Sequence, residues 1–277
     1  MTTFEKLVNL IRETSSSLGE DVEKALRRQL RAERAAGNDA ATLNLSTILE
    51  NVKLARRQGT PLCQDTGTLT FFVDISLRRK VSVKLLQKAV AEATRLGYLR
   101  KNTIDSVTGE SLDDNCAEGA PVVHYVEGRN RGEVTLLMKG GGSENMSRQY
   151  SLPDVRLGAG RDMEGVRKCI LDAVVKTQGY GCAPGILGVC IGGDRATGYE
   201  VAKMQLLRTL DEKGGEFAAL EKRILKEANS LGIGPMGLGG KTTLLGVKIA
   251  SRTRLPASFF VTVAYLCWAA RRRTVTI

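Results

Sequence analysis

The stretch GTPLCQDTGTLTFFVDISL, residues 59–77, is where a helical sequence gives way to a strand-bearing one. Upstream, TTFEKLVNLIRETSSSL, EDVEKALRRQLRAERAAG and DAATLNLSTILENVKLARRQG place apolar residues three and four apart, broken by Gly19 and Gly37. That spacing predicts helices through residues 1–58. Gly59, Thr60 and Pro61 end the block, a polar segment with Cys63, Gln64 and Asp65 follows, and LTFFVDISL reads as a strand. Farther on, VSVKLLQKAVAEATRLGY, MEGVRKCILDAVVKTQG, EVAKMQLLRTL and EFAALEKRILKEANSLG read as helices. PVVHYVE and EVTLLMKG are expected to be paired strands, and GILGVCIGG and LLGVKIAS further strands. Residues 100–119 are polar and turn-rich, as in a surface loop. The expected fold class is α+β: a helical N-terminal region packed on mixed β-sheets, in a single domain spanning residues 1–277.

Composition narrows the function classes. The chain has 277 residues, 42% hydrophobic and 26% charged, ordinary for a globular protein. Its 41 basic and 30 acidic residues leave a net charge of +11, which suits an anionic partner. Basic runs occur at Arg27, Arg28, Arg31 and Arg34 and at residues 271–273, but only 5% of residues are aromatic and none interleave with them. A base-stacking nucleic-acid platform wants that interleaving. The runs read instead as solvated helix faces and a basic tail, with a basic nucleic-acid-binding protein kept as the alternative from another class. MTTFEKLVNLIRE carries charge inside its apolar pattern, unlike a signal peptide, so a cytoplasmic, reducing location is expected. LPASFFVTVAYLCWAA is sixteen residues long, short of the about twenty that a membrane span needs. It reads as a buried strand leading into a short helix, and no membrane partner is expected.

The glycine motifs are weaker than they look. GIGPMG, residues 232–237, matches a dinucleotide fingerprint by letter but follows a helix and contains Pro235. GGKTT, residues 239–243, resembles the end of a P-loop, yet Pro235 stands where the pattern needs glycine and a strand follows. Its free backbone N–H groups remain able to bind some anion. KGGGSEN, residues 139–145, is a second exposed-backbone loop, with Lys139 and Ser143 as candidate contacts; the plain alternative is a strained hairpin turn. His124, the one histidine, lies on an apolar strand pattern and reads as a core residue, so a Ser-His-Asp or Cys-His hydrolase has no support.

Six cysteines and no CxxC pair argue against zinc fingers and thioredoxin-like chemistry. Cys63, Cys182 and Cys267 sit beside polar or glycine-rich turns, whereas Cys169 falls on a helix face, Cys190 in a strand and Cys116 in a polar loop. Spacing alone does not separate three distant ligands from six unrelated thiols.

PLCQDTGT, LRKNT, KGGGSEN, CAPGILGVCIGG, LGIGPMGLGGKTT and LPASFFVTVAYLCWA, in that order over residues 59–272, resemble the class I iron–sulfur-dependent hydro-lyases, which comprise class I fumarases and L(+)-tartrate dehydratases. The resemblance is to the α subunit of two-chain forms and the N-terminal domain of single-chain forms. It implies a [4Fe–4S] cluster held by Cys63, Cys182 and Cys267, with one iron left open to substrate. It implies substrate contacts from Gln64 and Asp65, a carboxylate grip from Arg100, and backbone contacts from Gly140, Gly141 and Gly142. Residues 1–58 would then be a mostly helical part and 59–272 the cluster- and substrate-binding part. The implied activity is reversible hydration of fumarate to (S)-malate, with L-tartrate dehydration as the alternative. Two departures stand out: Cys190 occupies a position where the family pattern has glycine, and RTRLPAS lacks the histidine that single-chain relatives carry before the third cysteine. The base is expected from a β subunit, in an α2β2 assembly, so this chain alone should hold the cluster and turn over little substrate.

Overall fold

The computed structural model describes residues 1–127, 131–212 and 215–277. Their contacts group into two compact units. The first comprises Met1–Gly19, Glu50–Gly141 and Ala269–Ile277; the second comprises Glu20–Leu49 and Gly142–Trp268.

The first unit packs two helices on one four-stranded sheet. Helix α1, Thr3–Ser16, starts with a capping box: Glu5 N–H donates to the Thr2 hydroxyl at 3.2 Å, and Thr2 N–H donates back to the Glu5 carboxylate at 2.8 Å. Leu7, Leu10 and Ile11 form its buried stripe. Helix α4, Val83–Arg95, is capped by Ser82 and buries Leu86, Ala89, Val90 and Ala93. Both stripes meet Leu69, Phe71 and Val73 of β1, Thr68–Asp74, and Val134, Leu136 and Met138 of β3, Glu133–Lys139. These residues alternate along their strands, so one sheet face is committed to the helices. Strand β2 is Val122–Val126, β8 is Arg271–Thr276, and the order is β2-β1-β3-β8.

That order corrects two readings. PVVHYVE and EVTLLMKG do not pair with each other: β1 lies between them, parallel to β2 and antiparallel to β3. The basic run is not a tail either. Residues 271–273 open β8, antiparallel to β3, with Arg271 only 1% exposed. Arg273 returns to α1, donating to the Ser17 hydroxyl at 2.9 Å and pairing with Glu13 at 3.1 Å. Three arginines hide the alternation that marks a strand.

The second unit sandwiches a sheet between helices. Strand β5, Gly185–Gly192, is buried throughout and lies between β6, Leu244–Arg252, parallel, and β7, Phe260–Leu266, antiparallel. A fourth strand that the sequence pattern did not predict, β4, Arg148–Ser151, pairs with β7 at the edge. One face, with Leu187, Val189, Ile191, Val261 and Val263, meets the buried sides of α6, Met163–Thr177, and α8, Ala218–Ser230. Helix α7, Arg195–Gln205, packs against β5 and β7. Helix α2, Glu20–Ala35, belongs here, whereas α3, Asp39–Gln58, contributes to both units. After β7 the chain turns through residues 267–270 directly into β8, without the short helix expected there. Both sheets are mixed and the class is α+β, as the sequence predicts.

Candidate active site

The predicted site residues fall on both units. In the first, the loop carrying Cys63 is anchored beside it: Leu62 is buried, its N–H donates to the Ser15 carbonyl of α1 at 2.8 Å, and its carbonyl accepts from Asn51 of α3 at 2.9 Å. Cys63 is half-buried and Gln64 exposed. Asp65 turns to the end of β3, where its carboxylate accepts the Gly141 N–H at 2.8 Å. A Cβ at Gly140 would stand 2.7 Å from the Asp65 carboxylate, so a side chain there would push that carboxylate aside. The glycine run is therefore neither an open loop nor a hairpin turn. It enters a short helix, α5, Gly141–Asn145, and the Gly141 donor is already committed to Asp65.

Asn115 organises the neighbouring segment, and nothing in the sequence singled it out. This residue is 3% exposed and sits in the left-handed region at φ 60°. Its side-chain oxygen accepts the N–H groups of Asn102 at 2.9 Å and Thr103 at 3.0 Å. Its amide nitrogen donates to the Arg100 carbonyl at 2.8 Å and the Thr94 hydroxyl at 3.0 Å. All four hydrogen-bonding sites of the amide are used, two accepting and two donating, which fixes the backbone that carries Arg100. Arg100 itself is exposed. Asn102 reaches the Gln64 carbonyl at 3.4 Å. Asp65, Asn102, Thr103, Asn115 and Gly141 line a cleft of about 300 Å³, large enough for a small organic acid.

In the second unit, Cys182 is exposed at the apex of a turn, with φ 50°. Two segments hold that turn. Met236 N–H donates to the Ala183 carbonyl at 2.9 Å, so GIGPMG buttresses a cysteine turn instead of cradling a dinucleotide. Trp268 N–H donates to the Cys182 carbonyl at 3.3 Å, which ties the Cys182 turn to the chain immediately after Cys267. Cys267 is half-buried, and its N–H donates to the Ser143 hydroxyl at 3.2 Å. The anion taken by GGKTT proves to be a protein carboxylate: buried Glu33 of α2 accepts the Lys241 N–H at 2.8 Å and the Thr242 hydroxyl at 2.5 Å.

Beneath the Cys182 turn lies Tyr265, 2% exposed, its hydroxyl buried with no hydrogen-bond partner among the described residues. A Cβ at Gly185 would stand 2.4 Å from that hydroxyl, and one at Gly181 2.7 Å from the ring. Burial first, then the charges of Cys267 and Cys182, push this phenol well above the ordinary tyrosine range.

The remaining cysteines differ. Burial pushes the thiols of Cys116 to about 11 and Cys169 to about 12, and raises Cys190 as well. Cys190 is fully buried in β5, a small core residue as expected. His124 stacks on Phe72 at 5.2 Å, a packing role. The exposed Arg27, Arg28, Arg31 and Arg34 form a solvated helix face. A cleft of about 820 Å³ along β4, with Arg148, Arg156, Lys176 and Arg195, contains none of the predicted site residues.

The family model described as fumarate hydratase (Fumerase) matches residues 4–276. The chain belongs to the Fumerase family. It is 47% identical, over 99% of its length, to a Geobacillus stearothermophilus protein described as a candidate class I fumarate hydratase, and spans 54% of that longer relative. It is 34% identical, over 98% of its length, to a candidate L(+)-tartrate dehydratase subunit alpha of Methanocaldococcus jannaschii, covering 96% of that chain. Against the L(+)-tartrate dehydratase subunit alpha of Escherichia coli it is 31% identical over 83% of its length, covering 77% of that subunit. Family membership gives the nucleic-acid alternative no support.

The iron–sulfur group implied by this family can be tested against the residues present. Among the described residues no three His, Cys, Asp or Glu side chains are gathered tightly enough for a single metal ion. The surroundings of Cys182 and Cys267 fit an iron–sulfur cluster: two tied cysteine turns, a buried hydroxyl lacking an acceptor, and glycine backbone that leaves no side chain in the way. No helix among the described residues is long and apolar enough to cross a membrane.

Proposed function

We propose that this chain is the α-type part of an iron–sulfur hydro-lyase that hydrates fumarate to (S)-malate and back. The observation that carries this reading is the 2.8 Å bond between the Asp65 carboxylate and Gly141 N–H, beside the cleft of about 300 Å³. It joins two of the motifs by which the chain resembles these enzymes, and the cleft suits a small dicarboxylate. Higher identity to the relative described as a fumarate hydratase than to the two tartrate dehydratase subunits favours fumarate over L-tartrate.

In this reading Cys63, Cys182 and Cys267 hold a [4Fe–4S] cluster. When bound, such a cluster supplies a Lewis-acid iron that polarises the C–O bond being made or broken. The chain's own residues bind and orient. Arg100 grips one substrate carboxylate through its planar fork, and its backbone is held still by Asn115. Gln64 and Asp65 contact the substrate, the Asp65 carboxylate being oriented by Gly141. Hydration puts hydroxyl on one carbon and a proton on the next. The group that moves that proton belongs to a β subunit, with which this chain assembles, in the same reading as α2β2 in the cytoplasm.

Iron and acid-labile sulfide per chain after anaerobic reconstitution test the ligand set. About four of each are expected, lost in Cys63→Ser, Cys182→Ser and Cys267→Ser and kept in Cys190→Ser. Turnover of fumarate in preference to L-tartrate is expected once the β subunit is added. A chain that binds no iron, or that binds it without those three cysteines, would overturn the reading.

A further inference from the structure

We infer that the Tyr265 hydroxyl donates a hydrogen bond to sulfur of the iron–sulfur cluster, and so sets how firmly the cluster is held and how readily it is reduced. The inference rests on the cluster reading above and goes beyond it, since that reading gives Tyr265 no part.

Packing explains the ring but not its oxygen. Tyr265 lies in the core of the second unit with Val261 and Val263 of the same strand, and phenylalanine would fill that space equally well. The oxygen is buried and meets no acceptor among the described residues, an arrangement that folded proteins avoid. Its direction is fixed by the backbone around it. A Cβ at Gly185 would come within 2.4 Å of the oxygen, and one at Gly181 within 2.7 Å of the adjoining ring carbons. These two glycines flank the turn that presents Cys182, and Cys267 follows Tyr265 by two residues. The hydroxyl therefore lies against the backbone of the turn that carries one proposed ligand, and two residues along the chain from the other. Thiolate or sulfide sulfur is the acceptor that such a cluster brings to that position. Hydrogen bonds to cluster sulfurs favour the more negatively charged, reduced state and raise its potential, and outer-shell donors hold the metal group in place. Tyr265 is in these terms a positioning residue for the cluster.

The test is Tyr265→Phe beside the unaltered chain, both reconstituted anaerobically. Iron and sulfide per chain, midpoint potential and the rate of iron loss to a chelator are measured, together with the Tm of each chain without cluster. The variant is expected to load the same iron and sulfide, to show a lower midpoint potential, and to lose iron about tenfold faster, at the low end for removal of an outer-shell bond at a metal site. Its Tm without cluster should be unchanged or higher, because the oxygen has no protein partner to lose. Equal potentials and equal iron loss in the two chains would overturn the inference. So would a cluster-free variant that melts lower or fails to fold, since the oxygen would then be satisfied without the cluster. An unaltered chain that binds no iron would overturn this inference and the cluster reading together, whereas an iron-loaded pair with identical potentials would overturn this one alone.

Discussion

Asn115 shows how one side chain fixes the path of the segment that carries Arg100. Its amide takes two backbone N–H groups and gives to one carbonyl in the loop that follows α4, and to the hydroxyl of Thr94 in the last turn of α4. Replacement by leucine keeps roughly the same bulk and leaves those groups unmet, at a cost of about 2–3 kcal/mol in stability. The Arg100 segment then loses its fixed path. Under the proposed function, with a β subunit added, Asn115→Leu should raise KM for fumarate about tenfold with a much smaller change in kcat, because a misplaced carboxylate grip weakens binding before it weakens chemistry. A drop in kcat with unchanged KM would place Asn115 elsewhere in the mechanism. Glu33 works in a similar way at the GGKTT turn, where a buried carboxylate satisfies the turn's free donors.

Among the elements, α7 offers a clean pH experiment. Asp194 caps it, accepting the Ala196 N–H at 2.8 Å and the Thr197 N–H at 3.1 Å. The Thr197 hydroxyl bond first, then these backbone donors, hold the Asp194 carboxyl below its ordinary value of 3.8. A carboxyl lowered on folding adds stability that is fully present above the unfolded value and is lost as pH falls through the folded one. The Tm gap between the unaltered protein and Asp194→Ala should therefore be flat at neutral and mildly acid pH, then close below 3.8. A gap that persists into strong acid would mean that the cap acts without its charge. Strand β8 teaches a different lesson about elements. Its arginines belong to a sheet because Arg273 finds Glu13 and Ser17 on α1, and because the β3 edge accepts its backbone.

For the whole molecule, two sheets with separate cores imply two separable contributions to stability. Leu86 in one core and Ile224 in the other are both fully buried and share no core neighbour. Leu86→Ala and Ile224→Ala should each cost about 2–5 kcal/mol. Measured by denaturant, the double variant should lose the sum of the two within about 0.5 kcal/mol, as independent sites do. A double loss well away from the sum would reveal coupling between the cores. The net charge of +11 belongs to this scale as well: it suits an anionic partner, while basic side chains lie on solvated faces such as that of α2.

The sequence by itself determined the elements whose information is local. Helical spacing and the continuous apolar run of β5 express contacts within a few residues, and they read correctly. It also determined the family, because six motifs in fixed order identify a chain better than any one of them does. Tertiary structure alone decided the rest, since that information lies in residues far apart in the chain. Strand partners are an example: β1 between β2 and β3, and three arginines entering a sheet, depend on which edge each strand meets. Asn115 and Tyr265 are another. An asparagine in a polar loop and a tyrosine on an apolar strand look ordinary by themselves. One owes its importance to the backbone that closes around its amide, and the other to the glycine turn that packs on its buried hydroxyl.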